Sequence, residues 1–207
     1  MSRGTFITLE GIEGVGKSSA VACVVDWLTA QGHTVTSTRE PGGTALGEQL
    51  RQLLLARDGV PIAPLAELLL MFASRAQHLA ERIRPALARG ETVVCDRFTD
   101  ATFAYQGGGR GLSTADIAAA ARLVHGDLAP DLTLLLDAPP ALGLDRARAR
   151  GVADRFETEQ LGFFTRVREA YLKLAAREPA RFVVIDASQP LETVHVGIRA
   201  ALAARLP

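Results

Sequence analysis

The 207-residue chain has no asparagine, two lysines, two cysteines and one tryptophan. Each scarcity removes a class of function. Without asparagine there is no N-K-x-D element, so the chain is not a guanine-specific switch protein. No L-S-G-G-Q-like stretch is present, which speaks against a transporter ATPase module. Cys23 and Cys95 lie far apart in no metal-ligand spacing and read as buried thiols of a reducing compartment. No apolar run approaches the ~20 residues of a bilayer span. The longest, Pro61 to Ala73, is interrupted by Glu67. An excess of one charge is also missing, since 23 Lys and Arg balance 23 Asp and Glu. Nothing global therefore draws the chain to nucleic acid or to an anionic membrane. The opening MSRGTFITLEG runs into strand-like sequence without a signal-peptide pattern. A cytoplasmic protein with neither nucleic acid nor membrane as partner is expected.

Apolar residues make up 48% of the chain, enough for the core of a single domain over residues 1–207. Compact β-rich runs at Thr5–Glu10, Thr34–Arg39, Thr92–Asp96, Asp131–Asp137 and Arg181–Asp186 read as strands buried on both faces. Helical patterns separate them: Lys17–Gln31, Thr44–Ala56, Leu65–Arg89, Thr114–Gly126, Ala141–Arg150, Gln160–Arg177 and Leu191–Leu206. This alternation predicts an α/β fold in three layers, a five-stranded parallel sheet flanked by helices. Ligands of such sheets bind outside the carboxyl ends of the strands. Functional residues are therefore expected just after each strand.

The first strand runs into Gly11-Ile12-Glu13-Gly14-Val15-Gly16-Lys17-Ser18, which fits G-x-x-x-x-G-K-[ST] throughout. Glycines let the backbone wrap a phosphate chain, and the following helix adds its positive dipole end. Lys17 would reach the β- and γ-phosphates of ATP and Ser18 would ligate Mg²⁺. With 21 arginines as the usual cation, Lys17 stands out. Short length points to the small nucleotide and metabolite kinases rather than to motors or helicases.

Transfer to a second phosphate brings two polyanions together, and the acceptor oxygen is already ionised. Such a site needs fixed positive charge more than a base, and arginine grips phosphate with paired hydrogen bonds. Arg39 ends the second strand and Arg97 follows the third. Asp96 stands where a Mg²⁺-organising carboxylate belongs, with Asp137, which ends the fourth strand, ranked behind it. The four histidines, His33, His78, His125 and His195, are scattered and read as structural or surface residues.

LEGIEGVGKS, TREPGGT, the segment Met71-Phe72-Ala73-Ser74-Arg75, CDRF, AYQGGGRG and RARARGVADRFE occur in this order. Together they resemble bacterial thymidylate kinases over nearly the whole chain. The resemblance implies a nucleoside monophosphate kinase-like fold, a homodimer, and Mg²⁺- and ATP-dependent phosphorylation of dTMP to dTDP. It assigns Glu13 to the acceptor's 3′-hydroxyl, Arg39 and Arg97 to the dTMP phosphate, and Arg75 to the thymine carbonyl. Thr102 and Gln106 would contact the base, and Tyr105 would crowd the sugar's 2′-carbon and select deoxyribose. The usual phenylalanine four residues before Arg75 is replaced by Met71, so either Phe72 or Met71 faces the thymine. Residues 107–109 read as a flexible turn. The segment at about 146–157 matches the family's lid, whose Arg146, Arg148, Arg150 and Arg155 surround a glycine hinge. Arg150 is expected to serve in catalysis with Lys17 and Arg97, because the phosphate loop lacks an arginine of its own.

Overall fold

The computed structural model describes residues 3–57, 59–149 and 154–206. Five parallel strands form one sheet: β1 (Phe6–Glu10), β2 (Val35–Arg39), β3 (Thr92–Asp96), β4 (Leu132–Asp137) and β5 (Phe182–Asp186), in the order β2-β3-β1-β4-β5. Every strand boundary falls within one residue of the expected one. β1 lies at the centre and is buried along its whole length. Its register sets Leu9 beside Asp96 on one side and Leu134 on the other. Strand order reverses around β1, so the crevice beyond its carboxyl end is where such sheets bind ligands.

On one face pack α1 (Lys17–Ala30) and α9 (Leu191–Arg205). The other face carries α4 (Arg84–Ala88) and α8 (Leu161–Arg177). The remaining helices are α2 (Ala45–Leu55), α3 (Pro64–His78), α5 (Thr99–Thr102), α6 (Thr114–His125) and α7 (Pro140–Arg148). Local chemistry starts α2, where the Thr44 hydroxyl accepts from the Gly47 N–H at 3.0 Å.

Two elements differ from expectation. The single helix expected over Leu65–Arg89 is a helical rod in which α3 passes through a wider turn at Leu79–Ile83 before α4. Pro85 has no N–H to give to the preceding turn, and widening the turn absorbs the lost bond. The glycines expected to form a flexible turn instead close a second wide helical segment, Phe103–Gly109. A Cβ on Gly108 would stand 2.6 Å from Ala170 Cβ, and one on Gly109 would stand 2.4 Å from the Phe163 ring. These glycines are bare so that α8 can lie directly against the segment.

Candidate active site

The loop Gly11–Ser18 leaves β1 and opens α1. Gly11, Gly14 and Gly16 have φ of 137°, 73° and 91°, a region that side chains disfavour. Gly14 is also required for space, because a Cβ there would lie 1.8 Å from the Gly143 carbonyl oxygen. The first turn of α7 is thereby pressed against the loop. Ile12 and Val15 are buried and anchor it. Lys17 is half-buried, and its Nζ donates to the loop's own carbonyls, Ile12 O at 2.6 Å and Gly11 O at 3.1 Å. Burial, helped by the Arg97 cation, pushes the Lys17 ammonium down to about 8.

Arg97 adopts φ 72°, the one left-handed residue other than glycine among the described residues. Such a conformation costs on the order of 1–3 kcal/mol and persists only where its surroundings dictate it. Here the Arg97 N–H donates to Leu9 O at 3.0 Å, and the Cys95 thiol donates to Arg97 O at 3.0 Å. The next N–H, from Phe98, donates to Glu10 Oε1 at 2.7 Å. The turn sends the guanidinium back to the phosphate loop, where Nη1 donates to Gly11 O at 2.9 Å and Nη2 to Glu13 Oε1 at 3.0 Å. It lies 4.8 Å over the Tyr105 ring. The Tyr105 hydroxyl donates to the other Glu13 oxygen at 2.6 Å. Two supports were not read from the sequence. Tyr171 accepts from Arg97 Nη1 at 3.3 Å and donates to Glu10 Oε2 at 2.7 Å. Burial and then the charge of Asp100 push Glu10 up to about 8.

Arg75 is 2% exposed. Its Nε donates to Glu40 Oε2 at 2.7 Å, Nη1 to the Thr102 hydroxyl at 3.1 Å and Nη2 to Phe98 O at 3.1 Å. The other Glu40 oxygen meets His78 Nδ1 at 2.9 Å, and His78 Nε2 meets the Thr38 hydroxyl at 2.6 Å. The guanidinium carbon lies 5.0 Å from the centre of the Phe72 ring and 5.1 Å from that of Phe98. Phe72 is therefore not a wall of the cleft. It packs with Leu68, Ile117 and Ala121, three residues before Arg75 on the same buried helix face, whereas Met71 lines the cleft. Thr102, Tyr105 and Gln106 line it too.

Arg39 stands at the cleft edge with half its side chain exposed, paired with Glu48 at 2.8 Å. Beside it lies Arg51, a cleft cation that no spacing in α2 distinguished. The turn after β2 brings Pro41 O within 2.9 Å of Arg51 Nη1. Burial and the neighbouring Arg39 hold the Arg51 guanidinium below its usual range.

Asp96 and Ser18 share this cleft with Lys17. Asp96 Oδ1 is buried with no hydrogen-bond partner among the described residues, and an unpaired oxygen in the interior calls for a ligand. No cluster of three or more His, Cys, Asp or Glu suited to a metal occurs among the described residues. A cation here would take a carboxylate, a hydroxyl, phosphate oxygens and water, which is how Mg²⁺ is commonly held. Asp137 is occupied by Arg168 at 2.7 and 2.8 Å.

The arginines expected to form a lid divide. Arg146 donates to Ala187 O at 2.8 Å, and Arg148 is exposed, 3.7 Å from Asp145. Arg155 donates to Leu54 O and to Glu67, both at 2.7 Å. Arg150 lies outside the described residues.

The model of the thymidylate kinase family matches residues 9–198. A thymidylate kinase of Chromohalobacter salexigens is 61% identical over all of this chain and 98% of its own length. One from Pseudomonas putida is 59% identical over 95% of each chain. The crystal structure of thymidylate kinase from Ehrlichia chaffeensis superposes with a TM-score of 0.80 at 33% identity, covering 97% of this chain and 99% of that one. With the phosphate loop, the buried Arg75 and the strained Arg97 gathered on one cleft, the chain belongs to the thymidylate kinase family.

Proposed function

We propose that the chain transfers the γ-phosphoryl group of ATP to the phosphate of dTMP, giving dTDP and ADP. The observation that carries this reading is the convergence of Lys17, Arg39 and Arg97 on one cleft beyond the carboxyl end of β1. Two nucleotide phosphates can be held there against their mutual repulsion, and the attacking oxygen needs no base. Lys17 exchanges the carbonyls of Gly11 and Ile12 for the β- and γ-phosphates. Arg97 and Arg39 hold the acceptor phosphate, Glu13 accepts from the 3′-hydroxyl, and Tyr105 excludes a 2′-hydroxyl. Arg75 donates to the thymine carbonyl, and Thr102 and Gln106 contact the base, with Met71 as the apolar neighbour. Mg²⁺ held by Ser18 and Asp96 would neutralise charge on the phosphates. Arg150 is assigned, on the resemblance, to the moving phosphoryl group.

We further assign a homodimer. Leu65 and Leu69 of α3 are 59% and 57% exposed, and Leu123 of the adjoining α6 is 87% exposed. Among the described residues no helix is long and apolar enough to cross a membrane. The family resemblance supports a reaction in the cytoplasm.

The test is ATP consumption with each acceptor in turn. The reading requires dTDP from dTMP and little turnover without acceptor. Equal turnover with a deoxynucleoside, or hydrolysis stimulated by DNA alone, would overturn it.

A further inference from the structure

Glu67 is the one charge in the apolar run Pro61–Ala73, and it is 0% exposed. Four N–H contacts converge on it. Gln106 Nε2 donates to Oε1 at 2.8 Å and Arg110 Nε to the same oxygen at 3.3 Å. Arg155 Nη2 and Arg110 Nη2 donate to Oε2 at 2.7 and 3.2 Å. Paired with two guanidinium groups, Glu67 is a carboxylate, and a carboxylate only accepts hydrogen bonds. The side-chain amide of Gln106 has one donating and one accepting end, so only its NH₂ can face Glu67. Its carbonyl oxygen is then left for the cleft that Gln106 lines. The buried residue thus presents an acceptor to the cleft that Arg75 also lines.

We propose that Glu67 is a positioning residue for base selection, locking the Gln106 amide so that its carbonyl meets a base carrying a ring N3–H. The inference rests on the dTMP reading above and deepens it. Thymine and uracil carry N3–H beside the O4 carbonyl. Cytosine carries an unprotonated N3 and an amino group, so it sets acceptor against acceptor and donor against donor. A site whose polar groups are left unpaired rejects the wrong ligand far more strongly than an apolar one does. The second carboxylate oxygen is fixed by Arg155, which also donates to Leu54 O at 2.7 Å, and by Arg110, which reaches Glu159. The lock is therefore braced from α2 and from the segment before α8, not from α3 alone.

The experiment compares kcat/KM for dTMP, dUMP and dCMP in the wild type and in Glu67→Gln. The substituted amide can donate as well as accept, which frees Gln106 to turn over. The dTMP:dCMP ratio should fall at least tenfold, on the order of one misplaced hydrogen bond, while dTMP:dUMP stays within about twofold. An unchanged dTMP:dCMP ratio in a folded Glu67→Gln protein overturns the inference. A parallel fall with all three acceptors does so as well, since it marks Glu67 as general scaffolding. Wild type failing to use dTMP would instead sink the dTMP reading. If Glu67→Gln does not fold, Gln106→Met decides. It should also narrow the dTMP:dCMP ratio, and a retained ratio means that Gln106 does not read the base.

Discussion

On the acceptor side of the cleft the polar groups are already partnered by the protein: Arg75 by Glu40, Thr102 and Phe98 O, and Gln106 by Glu67. On the side proposed for the donor, Lys17 donates to its own loop's carbonyls, and Arg148 is exposed, 3.7 Å from Asp145. One half is assembled before any nucleotide arrives, and in the proposed reaction the other finds its partners in the nucleotide. Base selection profits from rigid, buried groups whose misfit with a wrong base cannot relax. Phosphate transfer profits from charges that engage as the site closes and water leaves.

That contrast can be broken by experiment. Arg97, which joins the halves, should matter most: Arg97→Ala should lower kcat by about 10³–10⁵-fold, as loss of a transition-state arginine does. On the assignment proposed for it, Arg150→Ala should lower kcat by roughly 10²–10⁴-fold. A change confined to KM would remove its catalytic assignment. On the acceptor side the loss should appear in folding. Glu40→Ala leaves Arg75 and His78 buried without their carboxylate and should cost about 3–5 kcal/mol in denaturant unfolding. A cost near zero would mean that this half is not held together by its ion pairs.

Lys17 offers a finer test. Its ammonium is held down to about 8, and phosphates would raise it again, so ATP binds the protonated form better. Affinity should then weaken as pH rises above about 8, with proton uptake on binding measurable by calorimetry in buffers of different ionisation enthalpy. The folded protein itself should gain stability between pH 8 and the ordinary lysine value near ~10.4, because the unfolded chain there retains the proton that the folded one has lost. The smallest expected effect is on sugar choice. Tyr105→Ala should improve use of the ribose analogue relative to dTMP, and unchanged selectivity would remove the steric role.

Much of this was legible in the sequence, for a definite reason. Arg39 and Asp96 end strands, Glu13, Lys17, Ser18 and Arg97 follow strand ends, and the parallel sheet carries all of its carboxyl ends to one edge. Arg51, Tyr171 and Glu67 sit within helices whose periodicity marks a face but not what that face meets. Glu67 did leave a trace, as a carboxylate in an otherwise apolar run, but its partners lie 39 to 88 positions away. Phe72 and Met71 differ by one helical step, and only the packing of α3 against α6 decided which was buried. Residues 107–109 illustrate the same limit: three glycines signal freedom in a sequence, yet here Gly107 faces α6 and Gly108 and Gly109 face α8.

The order of strands and helices, the phosphate loop and the cationic edge were written in the chain, because alternating buried strands and glycine spacing act locally. Which arginine pairs with which carboxylate, which way the Gln106 amide faces, and how Arg97 is bent back to the loop were decided only on folding. Each depends on groups brought together from distant segments, and in a dry interior the geometry of those groups determines which contacts persist.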